Sequence, residues 1–172
     1  MEKRSDILFL IGMPGSGKTF WSHKVSDQYG FELFDTDQLI ETKEHALIPE
    51  IFDNKGEAYF RLQEHELLKE LIQENAGFYV VSTGGGMPCF HDNLQQMKTA
   101  GTVIYLQASV DTLYENLKKE LSGRPLLQEY EDDLKQRLAT LLNARASCYE
   151  KADYIFNVEE LTLSKFAAIF AS

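Results

Sequence analysis

The sequence predicts an α/β protein with one core, in which a parallel sheet is covered by helices on both faces. Three observations carry this expectation. Short apolar runs alternate with helical patterns along the chain. No repeat, low-complexity stretch or Pro/Gly-rich linker divides the 172 residues, a length that suits one domain. A glycine-rich segment joins the first strand to the first helix, at the strand end where such sheets bind ligands.

Taken in order, Ile7–Ile11 is a buried strand and Thr19–Tyr29 a helix beginning beside Gly17. Phe31–Phe34 is the second strand. Glu57–Glu74 is a long helix, with Phe60, Leu67, Leu68 and Leu71 on its apolar side. Phe78–Val81, Val103–Leu106 and Tyr154–Phe156 complete the strands. Further helices fit His91–Thr99, Val110–Leu121, Asp132–Lys151 and Leu161–Phe170. Each later strand follows a helix, which is the rhythm of a parallel sheet.

Composition narrows the function classes. Lys and Arg number 17 against 27 Asp and Glu, for a net charge of −10, so neither nucleic acid nor anionic membrane is an expected partner. No apolar run approaches the ~20 residues needed to cross a bilayer. The opening MEKRSDILFLIG turns polar too soon for a signal peptide, so a cytoplasmic location is expected. Cys89 and Cys148 lack metal-like spacing and read as half-buried reduced thiols. His23, His45, His65 and His91 show no ligand spacing either. Nothing suggests an obligatory dimer seam, so a monomer is expected.

Gly12-Met-Pro-Gly-Ser-Gly-Lys-Thr19 matches the phosphate-loop pattern G-x-x-x-x-G-K-[ST]. Gly12, Gly15 and Gly17 let the backbone wrap an anion with its amides inward, and the helix that follows presents its positive end. Ser16 lies inside the loop, Lys18 would bridge the outer phosphates, and the Thr19 hydroxyl would ligate Mg²⁺. This predicts a nucleotide triphosphate site.

Asp35 and Asp37 follow the second strand, and in extended chain their carboxylates share a face. One can hold a metal while the other accepts a proton from an attacking hydroxyl. Asp35 is the best available metal partner. The alternative is a helix N-cap supplied by Asp37 or Thr36 before Gln38–Thr42, and the sequence leaves both readings open.

Gly84-Gly85-Gly86 ends the third strand, permitting close backbone approach to a ligand or merely a turn. Arg61 lies three residues before Glu64, which could fix its direction. Arg124 precedes Pro125 in a break between helices, a natural hinge for a loop closing over phosphate. With Lys18 and Arg145, these arginines are the candidates for concentrating positive charge on an acidic protein.

The segments GMPGSGKT, FDTD, Ile51-Phe52, GEAYFRLQE, STGGG, RPLL and Arg145 with Tyr149, in this order from about Ile7 to Tyr154, resemble shikimate kinases. That resemblance implies a single three-layer α/β/α P-loop kinase domain over 1–172, with a five-stranded parallel sheet. It implies a helical substrate-binding region at about 36–64 and a mobile lid at about 122–131. The implied reaction moves the γ-phosphoryl of ATP, with Mg²⁺, to the 3-hydroxyl of shikimate in aromatic amino acid synthesis. Carried over by motif, Gly15, Ser16, Gly17, Lys18 and Thr19 bind ATP, and Thr19 with Asp35 holds the metal. Asp37 contacts the reacting hydroxyl, and Arg61 and Arg145 clasp the substrate carboxylate beside the Gly84, Gly85 and Gly86 backbone. Phe52 and Phe60 wall the ring, and Arg124 neutralises charge on the transferring group.

Two departures from the family pattern stand out. Phe20 and Trp21 follow Thr19, so the first helical turn must pack larger rings. Asn116 stands near a usual adenine-stacking arginine, a loss expected to weaken ATP binding by ~1 kcal/mol unless Lys118 or Lys119 substitutes. A gluconate or nucleoside monophosphate kinase is the nearest rival, and a nucleotide-switched binding module the rival from another class. The module would have no use for Asp37 and Arg61.

Overall fold

The computed structural model describes residues 7–74, 77–120 and 131–170. Arg124 and the expected lid as far as residue 130 lie outside the described residues. Five strands form one parallel sheet: β1 (Ile7–Ile11), β2 (Glu32–Asp35), β3 (Tyr79–Ser82), β4 (Thr102–Gln107) and β5 (Tyr154–Asn157). Their order is β2-β3-β1-β4-β5, so β1 is central and the chain leaves it first toward one edge, then toward the other. That reversal opens a crevice beyond the carboxyl end of β1, flanked by the ends of β3 and β4.

The helices among the described residues are α1 (Lys18–Tyr29), α2 (Thr36–Glu44), α3 (Ile48–Lys55), α4 (Glu57–Glu74), α5 (Asn93–Ala100), α6 (Val110–Glu120), α7 (Glu131–Tyr149) and α8 (Leu163–Phe170). All five residues of β1 are buried, but they serve two cores in alternation. Ile7, Phe9 and Ile11 face one hydrophobic cluster, and Leu8 and Leu10 the other. In β4, Val103 and Tyr105 divide from Ile104 and Leu106 in the same way. Both faces of the sheet are therefore covered, and the three-layer expectation holds. The larger core takes Phe60, Leu67, Leu68 and Leu71 from α4, along with residues of α5, α6 and α7. Val25 of α1 and Phe166 of α8 close the smaller one. Each such side chain stabilises the fold by about 1.5–3 kcal/mol through its burial.

Strand and helix ends shift from the sequence expectation by up to two residues, since caps rather than periodicity decide them. α3 has no counterpart in that expectation. It has only eight residues, so the helical spacing of Ile48, Ile51 and Phe52 is too brief to stand out in the sequence. Its start is fixed instead by two carboxylates: Glu50 accepts from Leu47 N at 2.8 Å and Glu41 from Ile48 N at 3.0 Å. The α2 cap also differs. Asp35, not Asp37 or Thr36, caps the helix, its Oδ1 accepting from Asp37 N at 3.0 Å and Gln38 N at 3.2 Å. Of the two large rings after Thr19, Trp21 packs against Phe166 at 5.8 Å between centroids, whereas Phe20 is 56% exposed and needs no space inside.

Candidate active site

The phosphate loop leaves β1 at Gly12 and returns into α1 at Lys18. Gly12 has φ +148°, and a Cβ there would stand 2.8 Å from the Leu106 carbonyl of β4. Gly15 has φ +83°, and its Cβ would meet the Leu113 carbonyl of α6 at 2.8 Å. Only glycine suits both places. Asn116 donates from Nδ2 to the Gly15 carbonyl at 2.8 Å, so this side chain braces the loop. Lys118 lies over the Tyr114 ring at 5.7 Å. Lys18 is buried and arches back over the loop, donating to the Gly12 and Met13 carbonyls at 2.8 and 2.9 Å.

Burial lowers the Lys18 pKa to about 8, against the opposing pull of Asp37 and Asp35. Only the ammonium attracts phosphate. Bound phosphate holds the ammonium form and so raises its pKa in the complex, and between the free value of about 8 and that higher value the KM for a nucleotide triphosphate is expected to rise by up to tenfold per pH unit. Steady-state kinetics between pH 7 and 9.5 check this, and a flat profile would remove Lys18 from phosphate binding. The sign for stability is the reverse. The unfolded chain holds this proton up to 10.5 and the folded chain only to about 8, so folding gains stability as pH climbs through that window.

Beside the loop, the Thr19 hydroxyl lies 3.5 Å from Asp35 Oδ2, while Oδ1 of the same carboxylate caps α2. The cap and metal-partner readings of Asp35 are thus compatible. A hydroxyl and one carboxylate are hard oxygen donors of the kind Mg²⁺ takes alongside substrate phosphates. Among the described residues no group of three or more His, Cys, Asp or Glu side chains could hold a metal by itself. The donor set therefore fits a nucleotide-borne Mg²⁺ and not an all-protein cage.

Asp37 is brought beside Asp35 by the first turn of α2, not by extended chain as the sequence suggested. Burial raises its pKa, the Asp35 charge adds to this, and Lys18 opposes both. A carboxylate so placed is a better proton acceptor than a solvated one.

The three-glycine segment is where the rest converges. The Gly84 amide donates to Thr36 Oγ1 at 2.8 Å, tying it to the start of α2. A Cβ on Gly84 would lie 2.6 Å from Asp37 Oδ1, one on Gly85 3.2 Å from Arg145 Nη1, and one on Gly86 2.5 Å from Arg61 Nη1. The segment is a turn, with Met87 N donating to the Gly84 carbonyl at 3.1 Å, and its three glycines let these side chains approach the backbone closely. Tyr149, fully buried, donates its hydroxyl to the Gly85 carbonyl at 2.6 Å and holds the segment against α7.

Arg61 is buried on α4 and aimed by two carboxylates: Nη1 donates to Glu64 Oε2 at 2.7 Å, and Nε and Nη2 to Glu57 Oε1 at 3.2 and 3.1 Å. Its guanidinium lies over Phe90 at 4.2 Å, Phe60 at 5.3 Å and Phe52 at 5.9 Å. Sequence reasoning found Phe52 and Phe60 but missed Phe90, a lone aromatic outside any motif. It also missed the Thr36 hydroxyl as the tie to Gly84, although the residue lies within FDTD. Burial pushes the Glu64 pKa up to about 7 despite the Arg61 ion pair. Glu64 Oε1, beside Gly84, and Ser16 Oγ, beside Gly12, are buried without hydrogen-bond partners.

Comparison with known proteins points to one family. The family model described as shikimate kinase matches residues 14–171. A shikimate kinase of Bacteroides thetaiotaomicron is 38% identical over 156 residues, covering 90% of this chain and 87% of its own. One from Clostridium botulinum (strain Loch Maree) is 40% identical over 157 residues, 89% of each chain. The crystal structure of the Bacteroides thetaiotaomicron shikimate kinase superposes with TM-score 0.87 at 32% identity, over 96% of this chain and 98% of that one. The Acinetobacter baumannii shikimate kinase in complex with shikimate gives TM-score 0.81 at 31% identity, over 96% and 93%.

Proposed function

The chain belongs to the shikimate kinase family, and from that premise we propose how its crevice divides the work of moving the γ-phosphoryl of ATP to the 3-hydroxyl of shikimate. It is an ATP-dependent kinase acting on shikimate. One observation supports the allocation above all. Gly84, Gly85 and Gly86 touch Asp37, Arg145 and Arg61 in turn, so a hydroxyl acceptor and two guanidinium groups surround one short stretch of backbone.

An acceptor bearing both a carboxylate and hydroxyl groups suits that arrangement. Arg61 and Arg145 clasp the carboxylate, for which the planar guanidinium fork is matched. Phe52 and Phe60 wall the ring, and Asp37 takes the proton of the attacking 3-hydroxyl. Lys18 releases the Gly12 and Met13 carbonyls and swings to the outer phosphates, which the loop amides from Gly15 to Thr19 surround. Thr19 and Asp35 would hold Mg²⁺, which supplies charge neutralisation on the phosphates when bound with ATP. Arg124, beyond the described residues, is assigned to the charge on the transferring group. Residues 36–64 serve as the substrate-binding region and 122–131 as the lid of a single domain. The protein works as a cytoplasmic monomer with neither nucleic acid nor membrane as partner. Among the described residues no helix is long and apolar enough to cross a membrane.

A coupled assay of ADP release with shikimate, gluconate and nucleoside monophosphates tests the assignment. Turnover is expected with shikimate and Mg²⁺ alone. Strong turnover with another acceptor and none with shikimate would overturn it.

A further inference from the structure

Asn116 stands near the place of the usual adenine-stacking arginine, yet its side chain engages the phosphate loop. Nδ2 donates to the Gly15 carbonyl at 2.8 Å, a contact that spans 101 residues of sequence. The backbone packs there as well. A Cβ on Gly15 would stand 2.8 Å from Leu113 O and 2.9 Å from Leu117 Cγ, both on α6. Leu113 and Tyr114 anchor α6 in the larger core, so the donor sits on a rigid element.

The Gly15 oxygen and the Ser16 amide are the two ends of one planar trans peptide, so whatever fixes one end aims the other. Asn116 holds the oxygen end, and the Ser16 amide donates to the Met13 carbonyl at 3.1 Å. Met13 O also accepts from Lys18 at 2.9 Å, a bond given up when that ammonium turns to phosphate. Gly15, at φ +83°, has the freedom that lets the loop curl, and the same freedom lets this plane turn over. A turned plane would aim the Gly15 oxygen into the loop, where phosphate needs N–H groups.

We propose that Asn116 is a positioning residue for the triphosphate: it pins the Gly15–Ser16 peptide so that the loop presents amides and no carbonyl oxygen to the phosphates, and it makes no use of the base. The proposal rests on the phosphate-loop reading of Gly12–Thr19.

Binding of ATP and of inorganic tripolyphosphate, each with Mg²⁺, is measured by calorimetry on the whole protein and on its Asn116→Leu and Asn116→Gln variants. Shikimate is left out, because Pro14 packs on Gly85 and carries any disturbance of the loop to the acceptor segment: a Cβ on Gly85 would lie 2.9 Å from Pro14 Cδ. Leucine matches asparagine in size without donor or charge, and glutamine keeps the donor on a longer arm. Asn116→Leu is expected to raise both Kd values by a common factor of about ten, the loss of one hydrogen bond with its carbonyl left unpaired. Asn116→Gln should recover most of that loss. A leucine variant that loses ATP and keeps tripolyphosphate would place Asn116 at the base and overturn the proposal, as would unchanged affinity for both ligands. Equal losses in the leucine and glutamine variants would make the effect one of packing and overturn it too. Should the leucine variant fail to fold, Asn116→Ala takes its place with the same outcomes. Wild-type protein that binds neither ligand would sink the phosphate-loop assignment and this proposal with it. Binding that Lys18→Ala abolishes and Asn116→Leu leaves untouched would sink the proposal alone.

Discussion

Asp37→Asn is expected to lower turnover by ~10²–10⁴-fold while ATP still binds, because the amide cannot accept the proton that the attacking hydroxyl must lose. The surroundings of the side chain fit the proposed task. It stands against Gly84, its pKa is raised by burial and by Asp35, and Lys18 lies near enough to temper the rise. Asparagine is nearly isosteric, so the contact with Gly84 and the start of α2 should survive, and Asp35 continues to cap the helix. Nucleotide titration alongside steady-state rates separates the two effects. Unchanged turnover would take Asp37 out of the proton path, and lost ATP binding would make its role one of charge balance at Lys18.

Arg61→Ala should raise the KM for shikimate by ~10²–10³-fold, the range for truncating one member of a buried, hydrogen-bonded charge pair. A structural cost accompanies the kinetic one. Removing Arg61 leaves Glu64 buried and without its 2.7 Å partner, a loss of about 3–5 kcal/mol if the carboxylate stays ionised. With Arg61 present the Glu64 pKa is already about 7, and losing the cation pushes it higher. Protonation therefore relieves the cost in acid, and the fall in thermal midpoint should be smaller at pH 6 than at pH 8. Arg61→Lys restores the charge without the fork and should recover stability more than acceptor affinity. A variant with normal shikimate KM and impaired ATP KM would contradict the assignment.

What the sequence revealed depended on how local each feature's physics is. The phosphate loop was legible because its glycines, Lys18 and Thr19 must be contiguous to wrap an anion. The sheet was legible because β1, β3 and β4, buried along most of their length, are almost wholly apolar, and the more exposed edge strands β2 and β5 still carry short apolar runs. Asp35 was open between cap and metal partner, since either role needs the same carboxylate, and the structure gives one oxygen to the cap while the other faces Thr19. α3 was not legible, because acids outside its apolar pattern set its start. The grouping of Arg61, Arg145 and the three glycines came only from the order of motifs, because nothing near Arg61 in sequence points to α7. Phe90 left no sequence signal, for its place beside Arg61 depends on how α4 packs against the segment that follows the three glycines.

The double duty of Asp35 constrains how this protein can evolve. One oxygen of that carboxylate sets the start of α2, and α2 sets the position of Asp37, so altering how the other oxygen meets Thr19 also disturbs the proposed proton acceptor. Tuning of one trait at this residue is inherited by the other. Variation in nucleotide handling is therefore freer at neighbouring positions such as Asn116, which braces the loop from a different helix.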